Sequence, residues 1–150
     1  MAETLGSLCD KLTIVKLKQW HAEEESKQKS LSAQEKQLLD EIDAFIAAAL
    51  AGRIAPERLT FAANKVYRKE GNVVEDVKGG IGEIFARLAG VNCKLWHVQE
   101  RVYDFEDVPV GQKDEIVKQL ALLNLERTQC IDQLDSTFRG LLEGRRNPAG

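Results

Sequence analysis

The two histidines of this chain each follow one of its two tryptophans, as Trp20-His21 and Trp96-His97. Imidazole can move a proton or hold a metal, and an indole ring can stack on a ligand. A lysine lies three residues before each histidine, which favours an anion over a metal cation as the ligand. The candidate ligand-binding residues of this motif are Trp20, His21, Trp96, His97, Lys18 and Lys94.

Carboxylates also recur near both histidines. A glutamate follows each histidine at the third position, and an Asp-x-x-Asp pair occurs on each of the helices that come next. Such a set offers nitrogen and oxygen ligands to Mg²⁺ or Mn²⁺. Bundle carboxylate sites use Glu-x-x-His, however, which is the reverse order, so we predict no cofactor. The ligands, if a metal is present, are Glu24, Glu100, Asp40, Asp43, Asp132 and Asp135.

Arg127 is the most unusual single residue, because helical spacing places it on the apolar face of the last helix. Asn124 lies one turn before it. A guanidinium on the core side needs a carboxylate, a phosphate or an aromatic face as its partner. Glu100, Asp135 or a tryptophan can serve. Two interpretations stay open, namely a structural ion pair and an anion site, which the guanidinium fork suits.

The Trp-His motifs belong to a longer internal repeat that covers 5–52 and 81–144. Both copies also carry an apolar-Asp-x-apolar-Asp segment, at 39–43 and 131–135, and both end in a glycine. The histidines are 76 residues apart (97 against 21), whereas these later segments are 92 apart, so the second copy is longer. A repeated αα-hairpin cannot bury its apolar face alone. We therefore predict an all-α fold in which duplicated αα-hairpins pack as a four-helix bundle.

Apolar residues step by three and four along most of the chain, which predicts helices. Ser32 and Glu35 have capping-box spacing, so we place a helix start there and a turn at 30–32. The face opposite the apolar stripe carries Ile14 and Leu17 on the first helix and the small residues Ala86, Gly90 and Cys93 on the fourth. We therefore expect both helices to be covered on two sides, by the partner hairpin and by the third helix or another subunit. The predicted helices are 5–29, 32–51, a connecting helix at about 56–70, 80–104 and 112–143, with a loop at 105–111 and Gly52 and Gly144 after the hairpins.

The bulk composition is that of one globular domain of 150 residues, with a net charge of −3 at pH 7 and charges of both signs intermixed. This argues against nucleic acid as a partner, and no run is apolar enough to cross a membrane. Three cysteines without Cys-x-x-Cys spacing suggest buried thiols in a reducing, cytoplasmic compartment. No phosphate loop or nucleophile elbow occurs, so no catalytic residue is assigned. Both tryptophans are expected to be core anchors.

The opening segment, from Leu5 to His21, resembles an uncharacterised bacterial family of all-helical domains with the pattern I-G-E-L-I-D-K-L-x-I-x-N-x-K-x-W-H. Its Asp-Lys element occurs only in the first copy, as Asp10-Lys11, and its asparagine only in the second, as Asn92. A later element, L-N-x-x-R-x-x-x-I-D, matches 123–132. The resemblance implies a helical fold and marks the Trp-His pairs, Asn124 and Arg127, but it implies no reaction.

Three functions remain open at this point. The first is a non-catalytic binding or interaction module, expected to be a homodimer because of the two-sided helices. The second is a divalent-metal-dependent all-α hydrolase of a nucleotide or nucleotide sugar, in which the six carboxylates hold the metal. The third is an anion-binding module centred on Arg127 that takes a small anionic ligand without turnover.

Overall fold

The computed structural model describes residues 3–60 and 76–146, apart from the side chains of 145 and 146. These residues form four α-helices and contain no strand. The predicted all-α bundle is confirmed. The helices are α1 (Leu5–His21), α2 (Glu25–Leu50), α3 (Ile81–Tyr103) and α4 (Val110–Arg146), with short 3₁₀ turns at Pro56–Arg58 and Phe105–Asp107.

The main core joins the two hairpins, α1–α2 and α3–α4. Helix α1 packs against α2, α3 and α4, so it occupies the centre of the bundle. Phe45 of α2 and Phe138 of α4 are in tilted ring contact, with centroids 6.4 Å apart. Every helix contributes to this core, whose buried members are Leu5, Cys9, Ala49, Leu59, Ile84, Leu134, Phe138 and Leu142.

The second hairpin extends beyond the first. Helix α1 ends at His21, whereas α3 continues to Tyr103, six residues past His97. A second core lies between α3 and α4 and leads toward this extension; it is built by Val91 and Val98 of α3 with residues of α4. The extra length predicted for the second copy is therefore a two-helix projection that α1 does not cover.

The start of α1 is fixed both by its own sequence and by α4. The Thr4 hydroxyl accepts the Ser7 N–H at 3.2 Å, and the Ser7 hydroxyl accepts the Thr4 N–H, which completes a capping box. The Asp135 carboxylate accepts the Gly6 N–H at 2.6 Å. A Cβ on Gly6 would lie 2.7 Å from the Ile131 carbonyl oxygen. Glycine at this position thus allows α1 and α4 to approach closely.

The first turn does not lie where the sequence suggested. Helix α1 ends at His21 instead of near residue 29, and Ser32 lies inside α2 instead of capping it. The reason is a contact between α2 and the end of α1. The Gln28 amide donates to the carbonyl oxygens of Gln19 and Ala22, both at 2.7 Å, and so satisfies the end of α1. The predicted capping box at Ser32 is wrong.

The end of α2 follows the prediction. Gly52 has a φ of 73°, and the Arg53 N–H donates to the Ala48 carbonyl at 2.9 Å, as in a Schellman motif. Gly144, in contrast, lies within α4 and does not follow it. The predicted connecting helix begins at Pro56, where the structure has a 3₁₀ turn over Pro56–Arg58. Residues 61–70 of this predicted helix lie outside the described residues.

We predicted that the helices now labelled α1 and α3 are each covered on two sides. Among the described residues this holds for α1, but the small-residue face of α3 is not covered. Helix α1 contacts three neighbours, whereas Ala86, Gly90 and Cys93 on the small-residue face of α3 are exposed. Residues 3–60 and 76–146 thus provide no cover for this face, and most of the connecting helix that was predicted as a possible cover lies outside the described residues. No helix among the described residues combines the length and the apolar character needed to cross a membrane.

Candidate functional site

Arg127 is held by a carboxylate that the sequence analysis did not propose. Its Nε and Nη2 donate to the two carboxylate oxygens of Asp10, at 2.8 and 2.5 Å. The predicted partners, Glu100, Asp135 or a tryptophan, are therefore wrong. Asp10 faces α4 from the central helix α1 and is almost fully buried, whereas about a third of the Arg127 side chain is exposed. The carboxylate also raises the pKa of the Arg127 guanidinium.

Two further polar side chains fix Asp10 from the other side. The Asn92 amide donates to Asp10 Oδ1 at 2.9 Å and to the Thr13 hydroxyl at 2.6 Å. The Thr13 hydroxyl in turn donates to the backbone carbonyl of Asp10. The buried cluster of Asp10, Thr13, Asn92 and Arg127 therefore joins α1, α3 and α4. The bonds that converge on Asp10 hold these side chains in one geometry.

Sequence reasoning missed Asp10 and Asn92 as site residues. Each is present in only one copy of the repeat, which is the signal that could have identified them. These two residues come from different copies of the repeat and meet only after the hairpins pack. Asn92 Oδ1 is buried and has no hydrogen-bond partner among the described residues.

Beside this cluster lies a groove of about 570 Å³, which we call the α1–α2 groove. Its floor is apolar, while its rim carries both cations and carboxylates. Arg127 reaches it from α4. The residues that line it are Glu3, Asp10, Lys11, Ile14, Val15, Lys18, Gln34, Gln37, Leu38, Glu41 and Arg127.

One histidine and one tryptophan, from different copies of the repeat, are in contact. The rings of His21 and Trp96 are stacked, with centroids 4.6 Å apart and planes 7° apart. The Trp96 indole N–H donates to Glu100 at 2.9 Å, which fixes the ring from its edge. The end of α1 therefore contacts α3 through this stack.

The other histidine and tryptophan are not paired. Trp20 is 85% exposed, so the expectation that it anchors the core is wrong. The His97 side chain is 74% exposed and lies 3.9 Å from Glu100. Within the described residues neither ring has an aromatic partner. The repeat thus supplies two Trp-His pairs. In the folded chain the histidine of the first pair stacks on the tryptophan of the second, whereas Trp20 and His97 are not stacked on each other.

The remaining predicted ligand residues are dispersed. Lys18 borders the α1–α2 groove, whereas Lys94 is exposed on α3 away from that groove. Asn124 is exposed and donates to the Leu120 carbonyl of its own helix, so it does not join Arg127. The structure therefore brings only Lys18 and Arg127 to one groove.

The six carboxylates proposed as metal ligands lie on different helices and have different neighbours. Glu24 pairs with Lys27, and Asp40 pairs with Lys36. Asp43 is exposed, Asp132 is half-buried and Glu100 binds Trp96. Asp135 is buried at the start of α1, and burial raises its pKa to about 6. Among the residues that the structure describes, no three His, Cys, Asp or Glu side chains form a group that could hold a metal.

The cysteines divide into two classes. Cys9 and Cys130 are buried, and burial raises the pKa of each thiol to about 11. Cys93 is exposed on α3, contrary to the expectation that all three thiols are buried.

The chain was compared with models of protein families, with curated proteins and with solved structures. None of the three comparisons finds a match.

Proposed function

We propose that this chain is a non-catalytic interaction module that forms a homodimer through its unpaired aromatic residues. We call these residues, Trp20, His97 and Tyr103, the open aromatic surface. The observation that carries the proposal is the unequal use of the two Trp-His motifs. His21 stacks on Trp96, while Trp20 is 85% exposed.

A second copy of the chain has the complementary rings. The stack of His21 on Trp96 joins the two repeats within one chain, and its counterpart would join Trp20 to His97. In a twofold dimer, Trp20 of each copy stacks on His97 of the other. Such an interface is self-complementary, because the same two residues meet twice.

The longer α3 enlarges this surface. Tyr103 lies seven residues after Trp96, two turns along nearly the same stripe of α3. Helix α1 ends at His21, which contacts this stripe at Trp96, and Tyr103, two turns further along α3, is 80% exposed. Tryptophan and tyrosine are among the residues that contribute most to protein interfaces. Two large exposed aromatic side chains near one end of the bundle therefore favour an interface.

This function agrees better with the geometry than the hydrolase alternative does. A two-metal hydrolase needs its carboxylates around two ions that lie about 4 Å apart. Four of the proposed ligands instead contact a neighbouring side chain or backbone N–H: Glu24, Glu100, Asp40 and Asp135.

A reducing, cytoplasmic location is also part of the proposal. All three cysteines are free thiols, and the exposed one, Cys93, would be open to oxidation in a secreted protein.

Sedimentation equilibrium at micromolar concentrations tests the dimer. We expect a dimer whose dissociation constant rises at least about tenfold in Trp20→Ala and in His97→Ala. Leu141→Ala is the matched control, since Leu141 is also an exposed apolar residue but lies on α4. Leu141→Ala should leave the dissociation constant of the dimer unchanged. A strictly monomeric wild-type chain would refute the homodimer. A dimer unaffected by both aromatic variants would refute this surface.

A further inference from the structure

We infer that the α1–α2 groove is a binding site for a small hydroxylated oxyanion, such as a polyol phosphate or a hydroxycarboxylate. This site shares no residue with the open aromatic surface and does not depend on the dimer. Its walls come mainly from α1 and α2, and its lining includes the cations Lys18 of α1 and Arg127 of α4.

Unused hydrogen-bond donors of Lys18 and Arg127 carry the inference. Arg127 uses Nε and Nη2 on Asp10, and within the described residues its Nη1 has no partner. The Lys18 ammonium likewise has no ion-pair partner in that part of the chain. Lys11, in contrast, is paired with Glu3. Lys18 and Arg127 thus offer an oxyanion one point charge and one fixed guanidinium edge.

Arg127 is held in place before any ligand arrives. Asp10 fixes two of its nitrogens, and Asn92 and Thr13 fix Asp10. The side chain therefore loses little rotamer freedom on binding, which lowers the entropic cost of recognition. Helical side chains lean toward the N-terminus of their helix, which for Lys18 is the direction of Ile14 and of Asp10, the partner of Arg127.

The rest of the groove determines the class of the ligand. Ile14 and Leu38 offer an apolar floor. Gln37 and Glu41 lie along the α2 wall and are hydrogen-bonded to each other at 3.2 Å. A carboxylate accepts hydrogen bonds from ligand hydroxyl groups but repels a second anionic group. A ligand with one oxyanion and a short hydroxylated body fits this combination better than a polyanion does.

Titration of ¹⁵N-labelled full-length protein by NMR at constant ionic strength tests the site. The probes are inorganic phosphate, glycerol 3-phosphate and citrate. We expect saturable shifts at residues 11–18 and 34–41, with glycerol 3-phosphate bound more tightly than inorganic phosphate. Citrate, which carries three carboxylates, is the polyanionic control. If it saturates the same residues more tightly than glycerol 3-phosphate does, the preference for a single oxyanion is wrong and the inference is overturned.

Matched lysine variants provide the decisive comparison. Lys18→Gln should weaken binding about tenfold through loss of a charge-assisted hydrogen bond. Lys94→Gln, its counterpart in the second copy, should bind like the wild type because Lys94 lies outside the groove. Trp20→Ala should also bind normally, which separates this site from the dimer surface. Unsaturable shifts, or equal weakening by both lysine variants, would show that only unspecific surface charge is involved and would overturn the inference.

Discussion

The Arg127 guanidinium donates to both carboxylate oxygens of Asp10, at 2.8 and 2.5 Å, across 117 residues of sequence. This pair connects the last helix to the first. Asn92 of α3 donates to the same carboxylate, so three helices meet at one buried charge. Because Asp10 is buried and Arg127 is partly exposed, the two residues are not equivalent in their contribution to stability.

Removing either partner should reveal this asymmetry. Arg127→Leu leaves the buried Asp10 carboxylate without its cation and should reduce the free energy of unfolding by about 3 kcal/mol. Asp10→Asn leaves a partly hydrated guanidinium and should cost about 1–2 kcal/mol. Urea unfolding measures both. Lys36→Gln, which breaks an exposed pair with Asp40, should cost less than about 0.5 kcal/mol. A cost for Asp10→Asn that matches or exceeds that of Arg127→Leu would contradict this account.

The duplicated glycines make a second pair of test positions. In Gly6→Ala the new Cβ would lie 2.7 Å from the Ile131 carbonyl and 2.8 Å from Asp135, so we expect a loss of about 2–3 kcal/mol. Gly82 is the counterpart of Gly6 in the second copy, and a Cβ at this position would meet no neighbouring atom within 4 Å. Gly82→Ala should be neutral or stabilise by up to about 1 kcal/mol, because alanine favours the helix. Thermal unfolding measures the stability of both variants. If Gly6→Ala and Gly82→Ala lose the same free energy of unfolding, the close approach of α1 and α4 at Gly6 is contradicted.

Asp135 makes stability depend on pH. Burial raises its pKa from 3.8 to about 6, despite the hydrogen bonds from Gly6 and Thr4. The folded chain therefore binds the proton more tightly than the unfolded chain does. The stability contributed by this proton is fully present below pH 3.8 and is lost as the pH rises through about 6.

Asp135→Asn should remove that dependence while keeping an oxygen that accepts the Gly6 N–H. Relative to the wild type, the variant should gain up to about 3 kcal/mol between about pH 4 and pH 7, as measured by urea unfolding. The difference between the two proteins is the relevant quantity, since other carboxylates titrate equally in both. Parallel pH profiles would refute a raised pKa at Asp135.

Thiol chemistry should distinguish the three cysteines. The pKa of Cys9 and that of Cys130 are raised to about 11 by burial, whereas Cys93 is exposed. With a disulfide reagent at about pH 8, one thiol should react rapidly, and Cys93→Ser should abolish that phase. In denatured protein, all three thiols should react rapidly with the reagent. Two or more fast thiols in the native protein would contradict the buried positions of Cys9 and Cys130.

The candidate sites were only partly accessible from the sequence. The Trp-His motifs were singled out from the sequence, but the stack of His21 on Trp96 was not predicted. Trp20 is exposed and not a core anchor, because hydrophobic character cannot tell whether a neighbouring helix extends far enough to cover a residue. Arg127 was recognised as a charge that needs a partner. That partner, Asp10, could not be chosen, because helix wheels give the face of each residue but not which helices meet.

By itself, the sequence determined the helical fold, the repeat of two hairpins and local ends such as the Gly52 motif, because periodicity and capping act over a few residues. Only the tertiary structure decided where α1 ends, since Gln28 of the next helix satisfies its last carbonyls. It also decided the cluster around Asp10 and the different surroundings of Gly6 and Gly82. Packing two unequal hairpins breaks the symmetry of the repeat, so equivalent residues acquire different neighbours.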